Sequence, residues 1–244
     1  MKYGILSDIH ANLPALTAVL DRLQVEPVDA FLCLGDLVGY GASPNECCDL
    51  VRGLKASVVR GNHDLAAVSP GEERWFTPAA SFCVVWTREQ LSAENRQFLS
   101  DLAPDAEVGQ AHLCHGSLFD PDCYTTTVRE ADFTMRLMHL PVCFLGHTHY
   151  AEAYVKGDGD RLPAQRPMPQ GGVVLLEPGK QVMVNPGAVG QPRDGNSMAA
   201  YAVWDTDAAQ ITLHRVPYNV RAAQENMAAA GLPKSMSARL MLGV

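Results

Sequence analysis

Several features are missing from this sequence of 244 residues. Its seven cysteines are scattered and no two of them form a CxxC pair, which argues against a disulfide framework. No apolar run approaches the roughly 18 residues that a membrane-spanning helix needs. The segment Met1–Ser7 leads directly to Asp8, without the apolar stretch of a signal peptide. We therefore expect a reduced, cytoplasmic protein that has no membrane partner.

Positive charge is also scarce. Lys and Arg number 19 against 27 Asp and Glu, so the net charge is −8 and the pI is about 5.4. A field of this sign repels duplex nucleic acid. A small anionic substrate is still compatible with the negative net charge, because a bound metal reverses the field locally. The apolar fraction of 47% excludes wholesale disorder. The sequence leaves the oligomeric state open.

The first 60 residues predict a βαβαβ order, which is typical of parallel strands covered by helices. Strands are predicted over Tyr3–Ser7, Ala30–Leu34 and Ser57–Arg60. The first helix is expected to begin after Asn12 as its N-cap. A capping box at Ser43–Glu46, with proline at the first helical position, predicts the second helix.

The rest of the chain predicts helices first and short strands later. Further helices are predicted from Thr77–Pro78, after Ser92 and over Val128–Met138, and further strands over Glu107–Cys114, Val142–Leu145, Val173–Leu176, Gln181–Val184, Ala199–Trp204 and Ile211–Val216. The last four strands predict a second, more antiparallel sheet. The Gly- and Pro-rich segment Lys156–Gly172 predicts a long exposed loop. We expect one domain over 1–244, with a helical insertion near 65–106 and a C-terminal extension near 218–244.

Five clusters of chemically reactive residues each follow a predicted strand. They are Asp8-Ile9-His10, Gly35-Asp36, Gly61-Asn62-His63-Asp64, His115-Gly116 and Gly146-His147-Thr148-His149. Ligands of open α/β sheets bind at the carboxyl edge of the strands. Taken singly, each cluster has an ordinary structural explanation as a helix cap or a turn. Their joint occurrence at strand ends favours a common site instead.

The side chains of these clusters are suited to metal binding. Oxygen and imidazole ligands without thiolate suit a Lewis-acid ion such as Mn²⁺, Fe or Zn²⁺. Two carboxylates, one amide and four imidazoles are too many for one ion that also holds water and substrate. They suit two ions about 3.5–4 Å apart with one carboxylate bridging them. The remaining histidines, His112, His139 and His214, are expected to lie outside the site.

In this order the clusters resemble the signature of the calcineurin-like metallophosphoesterase superfamily, over roughly residues 1–220. The blocks Ser7–Asn12 and Asn185–Asp194 are similar to its compact bacterial and archaeal phosphodiesterase branch, which includes diadenosine tetraphosphate hydrolases. The resemblance implies a four-layer α/β/β/α sandwich of two mixed sheets flanked by helices. It also implies a phosphoesterase with two divalent ions (Mn, Fe, Zn or Ni), in which a hydroxide activated by both metals attacks phosphorus.

The resemblance further implies a role for each residue. The expected metal ligands are Asp8, His10 and His149 for the first ion, Asn62, His115 and His147 for the second, and Asp36 as the bridge. His63 is expected to bind the phosphate or to protonate the leaving oxygen. Asp64 is expected to orient His63.

Two departures from the superfamily concern the substrate. Phosphoprotein phosphatases carry a phosphate-clamping arginine soon after the GD pair, whereas this chain has Gly35-Asp36-Leu37-Val38-Gly39-Tyr40-Gly41. They also tend to have glutamate where Asp64 stands. A phosphodiester or nucleotide substrate is therefore favoured over a phosphoprotein. A phosphomonoesterase with the same site stays an alternative, and so does a non-catalytic scaffold, although the complete ligand set disfavours the scaffold.

The substrate side offers only open alternatives. Arg193 either replaces the missing clamp cation or pairs with Asp194. Phe119 and Tyr124 either stack on a base or pack internally. The segment 65–106 and the loop Ser117–Thr127 are expected to wall the cleft, and Asn185 is expected to order its own turn.

Overall fold

The computed structural model describes all residues 1–244, which form twelve strands and eight helices. The strands are β1 (Lys2–Leu6), β2 (Ala30–Cys33), β3 (Ser57–Val58), β4 (Asp105–Val108), β5 (Ala111–Cys114), β6 (Val142–Phe144), β7 (Ala151–Gly157), β8 (Ala164–Pro167), β9 (Gly172–Leu175), β10 (Lys180–Pro186), β11 (Ala199–Asp205) and β12 (Gln210–Val216). The helices are α1 (Leu13–Val25), α2 (Pro44–Gly53), α3 (Asn62–Val68), α4 (Pro78–Gln90), α5 (Ala93–Ser100), α6 (Val128–Met135), α7 (Val220–Ala229) and α8 (Lys234–Leu242).

The strands form two mixed sheets of six. The first has the order β3-β2-β1-β11-β12-β9, in which β3, β2 and β1 are parallel and the other pairings are antiparallel. The second has the order β4-β5-β6-β10-β7-β8, in which β5, β6 and β10 are parallel. In each sheet the parallel strands end at the same edge, which is where the site forms.

Along each strand, side chains alternate between the apolar core that separates the two sheets and an apolar core on the outer face of its own sheet. Ile5 and Leu32 point into the core between the sheets, where they meet Phe144 from the second sheet. Leu6 points the other way, under helices α1 and α2. Met135 of α6 covers the outer face of the second sheet. The order helix, sheet, sheet, helix confirms the expected four-layer α/β/β/α sandwich.

The late strands do not form a sheet of their own, so that prediction is wrong. Strands β9, β11 and β12 complete the first sheet, and β10 joins the second sheet beside β6. The residue pattern of a single strand indicates which of its faces is apolar, but it does not indicate which other strand it pairs with. Partner choice is decided by packing between segments far apart in the chain.

Three local predictions also need correction. Glu107–Cys114 is not one strand, because Gly109 with φ +59° turns the chain between β4 and β5. Lys156–Gly172 is not all loop, because β7 extends to Gly157 and β8 pairs with it as an exposed edge strand. The sequence pattern does not predict β7, which is rich in small residues. The capping box at Ser43 does not form, since the backbone N–H of Ser43 donates to the Ala11 carbonyl instead.

The helices after the last strand cover one side of the site. Met227 of α7 and Leu240 of α8 share a small apolar core with Tyr40 and with Cys83 of α4. The segment near 218–244 thus packs against the segment near 65–106. None of the helices has the length and apolar character needed to cross a bilayer.

Candidate metal centre

The predicted site residues come together where strands of both sheets end. Asp8 and His10 follow β1, Asp36 follows β2, Asn62 and His63 follow β3, His115 follows β5, and His147 and His149 follow β6. All except Asn62 are at least 95% buried. The site therefore joins the two halves of the sandwich.

The backbone turns sharply at five of these residues. Asp8, His10, Asp36, His147 and His149 have φ values between 49° and 68°, in the left-handed region. Such conformations cost roughly 1–3 kcal/mol each for residues other than glycine and cluster at functional sites. The strain is therefore concentrated on the candidate ligands, where the fold has to hold it.

Four side chains form ligand group one: Asp8, His10, Asp36 and His149. Their candidate ligand atoms lie within 4.8 Å of one another. His149 Nε2 lies 3.1 Å from His10 Nε2 and 3.3 Å from Asp8 Oδ1. His10 Nε2 lies 3.5 Å from Asp36 Oδ2. The ligand atoms of Asp8, His10 and His149 thus converge with the Asp36 carboxylate on one point.

Ligand group two consists of Asp36, Asn62, His115 and His147. His115 Nε2 lies 3.3 Å from Asp36 Oδ2, 3.1 Å from His147 Nδ1 and 3.2 Å from Asn62 Oδ1. The same oxygen of Asp36 thus faces a histidine of each group. Its other oxygen, Oδ1, accepts a hydrogen bond of 2.8 Å from the backbone N–H of His63.

Each candidate histidine uses its other ring nitrogen on a backbone carbonyl. The contacts are His10 Nδ1 to Val38 O at 3.0 Å, His115 Nδ1 to Leu34 O at 2.7 Å, His147 Nε2 to Asp122 O at 3.1 Å and His149 Nδ1 to Gln191 O at 2.6 Å. A carbonyl accepts only, so it fixes the proton on that nitrogen and orients the ring, as is usual for metal-binding histidines.

The facing nitrogens of group one fit a cation. Burial lowers the pKa values of His10 and His149 well below 6.5, so both rings are neutral at pH 7. Their protons lie on Nδ1, which leaves two lone pairs facing each other at 3.1 Å. Neither nitrogen can donate to the other, whereas both could act as ligands of one metal ion between them.

In group two, burial lowers the pKa of His147 to about 3 and keeps it neutral, whereas His115 has the opposite protonation state when no metal is bound. Burial lowers the pKa of His115, but the Asp36 carboxylate outweighs this effect and raises the pKa to about 10. Burial raises the pKa of Asp36, yet the charge and hydrogen bond of His115 outweigh it and hold the pKa well below 3.8. The pair is thus an imidazolium beside a carboxylate. A metal ion held by group two would take the place of the His115 proton.

No hydrogen bond joins the Asp64 carboxylate to the His63 ring, and the expectation that Asp64 orients His63 stays a prediction. Asp64 Oδ1 accepts from the backbone N–H of Leu37 at 2.8 Å and of Val38 at 3.2 Å, and Oδ2 accepts from Gly61 at 3.0 Å. Asp64 thus ties the loop after β2 to the loop after β3.

His63 is held by packing instead. Its ring lies 4.4 Å from the Tyr40 ring and 4.6 Å from the Phe76 ring, centroid to centroid, and its Nδ1 has no hydrogen-bond partner. Gly39 makes room for it, because a Cβ at Gly39 would lie 2.3 Å from His63 Nδ1.

The sequence pattern indicates no role for Tyr40, and for Asn185 it indicates only part of the role. The Tyr40 ring lies 4.5 Å from the His10 ring, so it covers ligand group one. Asn185 orders its own turn through Gly187 N, and its Nδ2 also donates to Gly146 O at 2.8 Å and Thr148 Oγ1 at 2.9 Å. Asn185 therefore braces the loop of His147 and His149. No local signal identifies a contact across some 40 positions of sequence.

Arg193 is placed beside the centre. Asp194 pairs with Arg215, so the alternative ion pair between Arg193 and Asp194 is wrong. The Arg193 guanidinium instead donates to the Tyr40 hydroxyl and to Gln191 Oε1, each at 3.2 Å, and its Nε has no partner. A positive charge without a carboxylate partner thus stands next to ligand group one.

A cleft of about 460 Å³ opens beside ligand group two. We call it the aromatic cleft; its lining includes Asn62, His63, His147, Trp75, Phe76 and Tyr124. Tyr124 lies with its ring 4.0 Å from the His147 ring. Phe119 packs on Phe133 at 4.6 Å and does not line the cleft.

The other histidines lie outside the centre. His112 Nε2 accepts from the backbone N–H groups of His139 and Leu140 at 3.2 Å each, which fixes its proton on Nδ1, 3.4 Å from Glu107. His112, His139 and Glu107 thus form a hydrogen-bonded cluster, in which His112 has no free nitrogen for a metal. The His214 ring stacks on Tyr201.

Comparison with known proteins agrees with this architecture. Residues 1–209 match the family described as the calcineurin-like phosphoesterase superfamily domain. The uncharacterized protein MJ0912 of Methanocaldococcus jannaschii is 32% identical over 252 residues, covering 98% of this chain and 97% of that protein.

Two crystal structures show the same fold. A metallophosphoesterase from Sphaerobacter thermophilus has a TM-score of 0.89 and 39% identity, over 100% of this chain and 99% of that one. The hypothetical protein PH1004 of Pyrococcus horikoshii OT3 has a TM-score of 0.79 and 20% identity, over 100% and 98%.

The sandwich and its cluster of oxygen and nitrogen ligands define a protein of the metal-dependent hydrolase class. The chain belongs to the calcineurin-like phosphoesterase superfamily, whose members use divalent metals.

Proposed function

We propose that this protein hydrolyses a phosphodiester with the help of two divalent metal ions. The observation that carries the proposal is the position of the Asp36 carboxylate. Its Oδ2 lies 3.5 Å from His10 Nε2 and 3.3 Å from His115 Nε2. One carboxylate shared by two sets of ligands is the arrangement of a two-metal site. Group one would hold one ion and group two the other, with Mn, Fe, Zn or Ni as candidates.

Bound divalent ions supply Lewis-acid stabilisation of the phosphoryl oxygens and lower the pKa of a water at the site to near neutrality. The chain supplies the rest. His63 stands over the aromatic cleft, and burial lowers its pKa to about 4, so the ring is neutral at pH 7. We infer that His63 donates an N–H hydrogen bond to the phosphoryl or leaving oxygen, a role that a neutral imidazole performs.

Arg193 supports the assignment of a diester. A diester carries one negative charge on two free phosphoryl oxygens, and Arg193 is one cation without a carboxylate partner. The chain has no second cation at the position of the phosphoprotein-phosphatase clamp, after Asp36.

The proposal takes 1–244 as one functional domain, because Tyr40 joins the C-terminal helices to the centre. A reduced, cytoplasmic setting is part of the proposal and rests on the scattered cysteines of the sequence.

The test compares bis-p-nitrophenyl phosphate with p-nitrophenyl phosphate, using metal-stripped protein titrated with Mn²⁺. We expect hydrolysis of the diester to rise with Mn²⁺ and to saturate near two ions per chain. A preference for the monoester would identify a phosphatase with the same ligands. Two bound ions without hydrolysis of either compound would contradict the proposal, and so would the absence of metal binding.

A further inference from the structure

The aromatic cleft has an unusual balance of charge. Glu72, from the 3₁₀ turn Glu72–Trp75, and Asp122, from the loop after β5, both line it, and no Lys or Arg does. His147 in its lining would be neutral as a metal ligand, and the neutral His63 ring adds no positive charge. The walls of the cleft beyond the proposed metal ligands therefore carry only negative charge, although the cleft adjoins the proposed position of the reacting phosphate.

This balance disfavours a second phosphate in the cleft. Sites for polyphosphates meet each phosphate with Arg, Lys or a metal ion. A phosphate beyond the reacting one would here meet two carboxylates and no cation. Arg193, the cation beside ligand group one, does not itself line the cleft, and its guanidinium is engaged by the hydroxyl of Tyr40 at the edge of the cleft.

The walls of the cleft favour an aromatic group. Trp75 is 75% exposed and Tyr124 is 50% exposed, and both line the same cleft. Large aromatic surfaces left open to solvent mark binding sites, and nucleobases stack on such rings whatever the base. A volume of about 460 Å³ leaves space for a whole nucleoside. Carboxylates can accept hydrogen bonds from ribose hydroxyls and base amino groups.

We propose that the cleft receives a nucleoside, and that the substrate is a nucleotide diester with a single phosphate and not a dinucleoside polyphosphate. This inference rests on the proposed phosphodiesterase function and deepens it. Glu72 and Asp122 act as specificity-determining residues, since they repel additional phosphates. Trp75 and Tyr124 supply the stacking surface.

The first experiment measures kcat/KM of the metal-loaded protein for adenylyl-adenosine, diadenosine tetraphosphate, glycerophosphocholine and bis-p-nitrophenyl phosphate. We expect adenylyl-adenosine to exceed diadenosine tetraphosphate and glycerophosphocholine by at least tenfold. Equal or higher kcat/KM for the tetraphosphate would overturn the charge argument. Preference for glycerophosphocholine would assign the carboxylates and rings to a cationic alcohol and overturn the proposal. Hydrolysis of bis-p-nitrophenyl phosphate keeps the proposed function intact in both cases, whereas no hydrolysis of any diester would contradict both.

The second experiment uses variants and their matched controls. Glu72→Gln should raise the kcat/KM ratio of tetraphosphate to adenylyl-adenosine at least threefold. Glu89→Gln makes the same charge change at an exposed position of α4 outside the cleft, and should leave the ratio within a factor of 1.5. Equal shifts in the two variants would show that the effect comes from net charge alone and would overturn the role of Glu72.

The third experiment measures binding without turnover. Calorimetry with the Zn²⁺-loaded protein should show adenosine monophosphate binding at least tenfold more tightly than ribose 5-phosphate. Trp75→Ala should remove most of this difference, and the exposure of Trp75 means that its truncation leaves no buried cavity. Equal affinity for the two ligands in the native protein would contradict the nucleoside assignment.

Discussion

At the scale of single residues, Asp36 and His63 perform separable tasks. Asp36 is shared by both ligand groups, whereas His63 belongs to neither group and lines the aromatic cleft. Losing Asp36 should therefore weaken metal binding, and losing His63 should weaken catalysis with the metals in place.

The first prediction compares Asp36→Asn with His63→Ala. We expect Asp36→Asn to reduce the metal content well below two ions per chain and to abolish diester hydrolysis. His63→Ala should keep both ions and lose about 10²–10⁴-fold in kcat, the range for a residue that assists proton transfer or charge development. Metal analysis and kinetics of both variants check this. Full activity with full metal content in Asp36→Asn would contradict the two-metal account.

The second prediction concerns pH and His115. The neighbouring Asp36 raises the pKa of His115 to about 10, so a metal ion at pH 7.5 displaces one proton. The protonated form competes with the metal, and affinity in group two should rise about tenfold per pH unit as the pH increases toward 10. Calorimetry in buffers of different ionisation enthalpy measures the released proton. Affinity that stops rising near pH 7, as for a histidine of ordinary pKa, would disagree with this account.

At the scale of elements, the turns after the strands decide the geometry of the centre. Gly39 has φ +86° and lies against His63, so both its backbone and its lack of a side chain are required. The residues of positive φ around the centre all lie outside the helices and strands, which places the special conformations in the connecting loops.

The third prediction tests this loop with two glycines of equal φ. Gly39→Ala would place a Cβ 2.3 Å from His63 Nδ1, whereas a Cβ at Gly159, also at φ +86°, would have no other atom within 4 Å. Gly159→Ala should cost about 1–2 kcal/mol from the backbone alone. Gly39→Ala should cost more and also lower diester hydrolysis, because His63 has to move. Urea unfolding and kinetics check both variants; equal effects would contradict the packing role of Gly39.

The elements also show what a sequence can predict. The proximity of Asp8, Asp36 and His115 is predictable because each follows a buried apolar strand, and that rule depends only on local pattern and sheet geometry. The pairing of β11 with β1 is not predictable in this way, since nothing local in either strand encodes its partner. The two segments expected to wall the cleft, 65–106 and Ser117–Thr127, do line it, but which of their side chains meet is not predictable from either segment. Trp75 and Tyr124 come from segments that meet only in the folded chain.

At the scale of the whole molecule, the centre joins both sheets. Group one draws Asp8 and Asp36 from the first sheet and His149 from the second. Ions bound there would link the two halves of the sandwich across the ends of their strands.

The fourth prediction follows for stability. Removing the ions should lower the free energy of unfolding, by about 2.7 kcal/mol for a site that had been loaded at 100 times its Kd. Thermal unfolding with and without a chelator measures this, and the Asp36→Asn variant serves as the control in which the chelator has little effect. An identical transition in the native protein with and without ions would contradict a link between the sheets through metal.

The measurement that tests the central claim most directly is electron paramagnetic resonance of the native protein titrated with Mn²⁺. Two ions that share Asp36 lie about 3.5–4 Å apart in sites of this type, and at that distance their spins couple. We predict a coupled spectrum that reaches its maximum at two ions per chain and is absent in Asp36→Asn. A spectrum of isolated Mn²⁺ that saturates at one ion per chain would contradict the account.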